Sequence, residues 1–230
     1  MRKNELRQER ERWRRQEYRQ SILRAAEKVI ARKGYSALTM DDIAREAEFS
    51  KATLYHYFKD KGELILQIIE SFFDEIDQEL IRINSLKVSA KEKLKQGIHY
   101  YLWFNQEKEN ISRMLMMDRS FMEKLRIFVT PEKKLTSEID KKFISSIKAK
   151  RREILASVAQ ILHGGVENEE FRNVNIPATV IFFEAALQGY CHVQLWHERH
   201  YGLEEATELI HSLLLRGIEE KPGQAKGESR

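Results

Sequence analysis

Residues 39–58 read TMDDIAREAEFSKATLYHYF, and their pattern predicts how the N-terminal quarter of the chain folds. Thr39 and Asp42 match the capping-box pattern [ST]-x-x-[DE], which predicts a short helix that begins after Thr39. Ser50 is a typical helix N-cap, so a second short helix should follow it, and residues 47–49 leave room only for a tight turn. Two short helices joined in this way form a helix-turn-helix, whose second helix can enter the major groove of DNA.

The second helix should separate apolar from polar side chains. Leu54 and Phe58, at i and i+4, are expected to face the core. Short polar side chains near the start of the helix suit base edges, whereas Lys51 and the tyrosine hydroxyls suit phosphates. Lys61 begins the next helix and adds a cation beside free backbone N–H groups. An aromatic core cluster over residues 55–58 is the alternative, but four consecutive helical residues cannot all point inward.

Helical periodicity extends over almost the whole chain. A stripe of apolar residues predicts a first helix that stops at Gly34, a residue common at helix C-termini. Its members are Ile22, Ala25, Ala26, Val29 and Ile30. Further helices are predicted from 61 to about 80 and over 90–108, 111–128, 132–168, 177–198 and 203–218. No stretch has the alternating pattern of a strand, so the fold class is all-α.

Composition excludes several classes of protein. The chain has 230 residues, of which 42% are hydrophobic and 33% charged, and it contains one cysteine. One cysteine forms no internal disulfide and no cysteine-ligated metal cluster, which suits a cytoplasmic protein. A charged N-terminus and short apolar runs argue against a secreted or membrane-spanning chain. Phosphate-loop, dinucleotide-binding and nucleophile-elbow motifs are absent, so we expect no enzyme activity, no cofactor and no metal site.

The positive charge is concentrated near the N-terminus. Residues 1–61 hold 16 Lys and Arg against 10 Asp and Glu, whereas residues 62–230 hold 24 against 26. Such an excess indicates a polyanionic partner. Residues 1–20 alone contain eight Lys and Arg and four Glu. This segment is either a solvated helical extension held by i, i+4 ion pairs or a basic arm that contacts DNA.

Residues 34–64, GYSALTMDDIAREAEFSKATLYHYFKDKGEL, closely resemble the DNA-binding domain of TetR-family transcriptional regulators. Residues 165–172, GVENEEFR, resemble more weakly that family's polar turn between its seventh and eighth helices. The turn of the helix-turn-helix departs from the family pattern, because Glu48 stands where the family usually has a glycine with positive φ. A non-glycine residue in that conformation should cost on the order of 1 kcal/mol.

The resemblance implies an all-α homodimer that binds a palindromic operator in double-stranded DNA. It divides the chain into a basic extension (1–20), a three-helix DNA-binding domain (21–66), a larger helical effector-binding and dimerisation domain (67–220) and a disordered tail (221–230). The implied DNA contacts are Thr39, Ser50, Lys51, Thr53, Tyr55, His56, Tyr57 and Lys61.

Two surfaces are expected in the larger domain. Bulky aromatic and Met side chains suit an adaptable apolar pocket for a small hydrophobic or amphipathic effector, although such residues also form ordinary cores. The candidate pocket residues are Tyr101, Phe104, Met117, Phe121, Phe183 and Tyr190. Small residues within the 177–198 helix permit close approach of a second helix, either across a dimer or inside a monomer. The candidate dimer residues are Ala186, Gly189, Val193, Trp196, Ile210, Leu213 and Leu214.

The leading hypothesis is a ligand-responsive transcriptional repressor. One alternative is a DNA-binding regulator without a small-molecule effector. The other is a helical carrier or enzyme whose basic N-terminal segment is incidental. Salt dependence separates them, because genuine DNA binding weakens steeply as salt rises.

Overall fold

The fold is all-α, as the periodicity predicts. We used a computed structural model that describes residues 2–118, 121, 138–194 and 201–218, and within these residues it has nine helices and no strand. The helices are α1 (Arg2–Lys33), α2 (Met40–Glu46), α3 (Lys51–Tyr57), α4 (Lys61–Ser85), α5 (Ala90–Glu107), α6 (Glu109–Met117), α7 (Glu138–Glu167), α8 (Ile176–Gln194) and α9 (Leu203–Ile218).

The chain divides into two compact units. The first comprises Met1–Phe72 and Glu109–Ile147, and the second comprises Phe73–Lys108 and Lys148–Arg230. The first unit therefore contains the expected DNA-binding domain together with α6. The boundaries expected at residues 20, 66 and 220 remain predictions.

The core of the first unit is built on the predicted stripe of α1. All five residues of that stripe are buried, with exposures of 0–4%. The helix ends at Lys33, and Gly34 follows with φ 74°, a left-handed conformation that glycine adopts without strain. Leu54 and Phe58 are 0% and 1% exposed, which confirms that this side of α3 faces the core.

The second unit depends on a close contact at the end of α7. Gly165 lies directly against the ring of Phe171, and an added Cβ would also come within 2.9 Å of the Cβ of Ala90. Glu170 then accepts hydrogen bonds from the first backbone N–H groups of α5, at 2.9 Å for Ala90 and 3.2 Å for Lys91. The GVENEEFR segment thus contains the turn that follows α7 and precedes α8.

Some predicted features lie outside the described residues. These are Trp196, the tail 221–230, residues 195–198 of the predicted 177–198 helix, and the parts of the predicted 111–128 and 132–168 helices that fall at 119–120 and 122–137.

Candidate nucleic-acid interface and internal cavity

Both predicted N-caps of the helix-turn-helix are confirmed. The hydroxyl of Thr39 accepts a hydrogen bond from the backbone N–H of Asp42 at 3.1 Å. The hydroxyl of Ser50 accepts one from the N–H of Thr53 at 3.0 Å. The hydrogen bond that Lys33 donates to Asp42 lowers the pKa of that carboxyl, so it stays ionised at the start of α2. These contacts fix the starts of α2 and α3.

The turn between α2 and α3 has the strained residue that the resemblance implies. Glu48 is exposed and has φ 59°, in the left-handed region. The backbone N–H of Phe49 returns to the carbonyl of Ala44 at 2.9 Å, which closes the turn. Because glycine tolerates this conformation and glutamate does not, the turn stores backbone strain.

The structure places the expected contact residues of α3 at different depths. Ser50, Lys51, Tyr55 and His56 are exposed, whereas Thr53 is half-buried and its hydroxyl lies 2.8 Å from that of Ser50. The same helix therefore presents polar groups to solvent while it anchors to the core. Tyr57 is also half-buried, Thr39 is exposed at the start of α2, and Lys61 is half-buried.

Lys51 already has an anionic partner. Its Nζ lies 2.7 Å from Oδ1 of Asp41 on α2, and both side chains are more than half exposed. The hydrogen bond to Asp41 raises the pKa of Lys51, so the ammonium is retained. An exposed pair of this kind is worth little in stability, so a phosphate can replace the carboxylate at small cost.

Lys61 contacts the end of α1. Its ammonium donates to the carbonyl oxygen of Tyr35 at 2.6 Å and lies 4.3 Å from the centre of the tyrosine ring. The backbone N–H of Tyr35 donates in turn to Asp118 at 3.3 Å, and its ring meets that of Phe121 edge-on. Burial raises the pKa of the Tyr35 hydroxyl, and the negative charge of Asp118 raises it further. Tyr35 thus connects α1, α4 and the residues after α6.

Two residues at the other end of α3 were not identified from the sequence. Arg19 donates to the carbonyl oxygen of Tyr57 at 2.9 Å, lies over the ring of Phe58 and contacts Gln67. Tyr18 packs its ring against those of Phe49 and Tyr57. No local spacing reveals these contacts, because the partners are about 30 to 50 residues away along the chain.

The second unit contains an apolar cavity of about 70 Å³ that is partly open to solvent. Tyr101 and Phe183 lie in its wall. Phe104 and Tyr190 belong to the same unit but are not in the wall, and Met117 and Phe121 lie in the first unit. The other lining residues are Ile76, Leu80, Leu94, Gly97, Ile98, Tyr100, Leu155, Val158, Ile161, Val180, Glu184 and Leu187.

Among the described residues that line the cavity, Glu184 has the only carboxylate, and none is a lysine, an arginine or a histidine. Arg151 on α7 holds this carboxylate with two hydrogen bonds, of which the one from Nε is 2.7 Å. Burial raises the pKa of Tyr101, and burial also raises that of the neighbouring Cys191 to about 11, so both groups stay neutral near pH 7. The site is therefore uncharged inside, with one neutralised ion pair at its wall.

The candidate dimer residues are largely exposed. Ala186, Gly189, Val193 and Leu213 are exposed, Leu214 is half-buried and Ile210 is buried in the core of the second unit. Ile181, Phe182 and Leu209 on the same two helices are also exposed, with Phe182 at 72%. Exposed apolar side chains on α8 and α9 are compatible with the expected dimer surface, which stays a prediction.

Within the described ranges, no helix combines the length and apolar character that crossing a membrane requires. The same part of the chain contains no group of three or more His, Cys, Asp or Glu side chains placed to hold a metal ion.

Comparison with protein families gives one domain match. Residues 22–68 match the model described as "Bacterial regulatory proteins, tetR family". The regulator HbdR of Aromatoleum is 36% identical over 67 residues, which are 29% of either chain. The chain spans between about a quarter and two fifths of the length of the first curated relatives it matches, at 29%, 39% and 24%.

Two further comparisons cover most of the chain. The fatty acid metabolism regulator protein of Bacillus subtilis is 24% identical over 209 residues, which are 87% of this chain and 95% of that protein. The crystal structure of FadR from Bacillus subtilis in complex with stearoyl-CoA has a TM-score of 0.69 at 19% identity, over 86% of this chain and 98% of that one. At such identity the structural likeness concerns the fold.

Proposed function

Because residues 22–68 match the model of the tetR family of regulators, we propose that the chain is a sequence-specific transcriptional repressor released from a palindromic operator by a small effector. The observation that carries the proposal is the helix-turn-helix, in which Thr39 caps α2 and Ser50 caps α3. On α3, Leu54 and Phe58 are buried and His56 is exposed on the opposite side. A buried face and a solvated polar face on one short helix are what major-groove insertion requires. Such a protein acts in the cytoplasm as a homodimer.

Selection of bound duplexes from a random pool at near-physiological salt tests the DNA-binding part. We expect an inverted repeat, since a two-fold dimer reads two equivalent half-sites. Thr53→Ala and His56→Ala should alter base preference, whereas Lys51→Ala should weaken all sequences alike. If the folded chain recovers no motif, the alternative of a helical carrier is favoured. If Thr53→Ala and His56→Ala lose equal affinity for selected and random duplexes, base readout by these two residues is refuted.

The proposed effector is an amphipathic molecule with an acyl chain. Apart from Glu184, whose carboxylate is paired with Arg151, the cavity wall supplies aliphatic and aromatic side chains and Gly97, which suit an acyl chain. The names of the two relatives that cover most of the chain, a fatty acid metabolism regulator and a stearoyl-CoA complex, support this class. An apolar cavity with few polar groups is typical of such ligands.

The effector must favour one conformation to act. It can shift the equilibrium between DNA-binding and released forms only by its differential affinity for them. Helix α4 contains both Lys61, a candidate DNA contact, and Ile76 and Leu80, which line the cavity. We therefore assign α4 as the element whose position the effector biases.

Val158→Phe separates effector binding from DNA binding. The larger ring should occupy the cavity, so titration with fatty acids and acyl-CoA esters of graded length should no longer release operator DNA. Fluorescence anisotropy of labelled operator measures both properties. Ala156→Phe, at an exposed position of the same helix, is the control and should remain responsive. Wild-type protein that ignores every acyl ligand would favour a regulator with no effector of this class.

A further inference from the structure

The N-terminal extension is a continuous part of α1. Helix α1 runs from Arg2 to Lys33, so the segment before residue 20 follows the helix axis that the core of the first unit fixes. Residues 6–18 are all exposed, including Trp13 at 66%. Residues 6–17 bury no apolar face that would explain them as part of the core.

The extension places cations on the face that adjoins α3. Tyr18 contacts the ring of Tyr57 at 6.1 Å between centroids and that of Phe49 at 5.2 Å. Arg14 lies four residues before Tyr18 and Arg7 eleven before it, which are spacings that share one helical face. Arg10 lies three residues after Arg7 and adjoins the same face. The basic stripe, defined as Arg7, Arg10 and Arg14, therefore extends along α1 from the residue that contacts α3.

The stripe is available to a partner. Arg7 forms one ion pair, to Glu11 at 3.1 Å, and both side chains are more than half exposed. Among the side chains that the structure describes, Arg10 and Arg14 form no ion pair. An exposed i, i+4 pair is weak, so Arg7 can exchange its carboxylate for a phosphate.

We propose that the basic stripe of α1 binds the phosphate backbone of DNA beyond the bases that α3 reads. The inference rests on the proposed function, since it assumes that α3 lies in a major groove. From Tyr18 to Arg7 the helix spans roughly 16 Å, which carries the cations past the edge of α3. Guanidinium groups along one rigid helix match the regular charge of a phosphate backbone.

The test compares two arginines that differ mainly in face. Arg14→Gln removes a stripe cation, and Arg12→Gln removes an exposed cation two residues away, on nearly the opposite side of the helix. Gln retains helix propensity, so circular dichroism should show unchanged helix content. Affinity for the selected operator and for a random duplex is measured from 50 to 200 mM salt.

For Arg14→Gln we expect the slope of log K against log salt to fall by about 0.9, with similar losses on both duplexes. For the Arg7→Gln/Arg14→Gln double variant the slope should fall by about twice as much, and Arg12→Gln should keep the wild-type slope. Equal slopes for wild type and the double variant would refute phosphate binding by the basic stripe, but would leave the proposal of operator binding by α3 standing. Equal losses for Arg12→Gln and Arg14→Gln would also overturn it. A wild-type chain that binds no duplex would overturn both proposals.

Discussion

Among single residues, Glu48 is one of two described glutamates, with Glu169, whose backbone adopts a conformation that favours glycine. Glu48 has φ 59°, in the left-handed region, and its side chain is exposed. Glu48→Gly should raise the free energy of unfolding by about 0.5–1 kcal/mol, since relief of strain exceeds the entropy that glycine adds to the unfolded chain. Chemical denaturation measures it. Glu48→Ala keeps the strain and should give no gain; an equal gain from alanine would show that charge, not backbone, is responsible.

Asp41 places a negative charge beside the candidate DNA-contacting residues of α3. Oδ1 of Asp41 forms an ion pair with Nζ of Lys51 at 2.7 Å, on the surface that we expect to face DNA. Asp41→Asn should strengthen DNA binding on every sequence, because it removes a negative charge and frees a cation for phosphate. Anisotropy titrations on operator and random duplexes check this. In a Lys51→Ala background most of the gain should vanish, and a gain that persists in full there would contradict the pairing.

The N-caps and the buried side of α3 could be predicted from the sequence, whereas the contacts of Arg19 could not. The caps at Thr39 and Ser50 and the buried pair Leu54 and Phe58 follow from local spacing, and the structure confirms them. The contact of Arg19 with the end of α3 joins residues 38 apart in sequence. No helical period encodes such a pairing, because it depends on how whole helices pack.

At the scale of elements, helix bounds were predictable where a breaker or cap is present. The stop of α1 at Gly34 and the start of α9 at Leu203 are confirmed. The cavity was less accessible to prediction. Tyr101 and Phe183 lie in its wall, whereas Met117 and Phe121 lie in the other unit. Helical spacing could not separate these two groups, because a bulky apolar side chain has the same periodicity in a core and in a pocket.

Two adjacent glycines of α7 provide an element-scale prediction. Gly165 lies against Phe171, whereas Gly164 has no heavy atom within 4 Å of an added Cβ. Gly165→Ala should destabilise the protein by about 1–3 kcal/mol through overpacking. Gly164→Ala should stabilise it by about 0.5–1 kcal/mol through helix propensity. Thermal unfolding of both variants, compared side by side, measures the contrast; the same sign for both would refute the close approach of α7 to the turn.

At the scale of the whole molecule, operator binding should depend on association through α8 and α9. Leu213 is 65% exposed in the single chain, on a face shared with other large apolar side chains. Leu213→Arg should yield monomers, because a buried unpaired guanidinium at a two-fold interface is strongly unfavourable. Light scattering measures the mass of the species in solution.

The same substitution should weaken operator binding without any change in the DNA-contacting residues. Two linked DNA-binding domains gain from effective concentration, which separate monomers lose. Ile81→Arg is the matched control, since Ile81 is 55% exposed but lies on α4, outside the candidate dimer face. It should remain dimeric and bind operator normally. A dimeric Leu213→Arg variant with wild-type affinity would place the interface elsewhere, and a monomeric one with wild-type affinity would show that one chain reads each half-site independently.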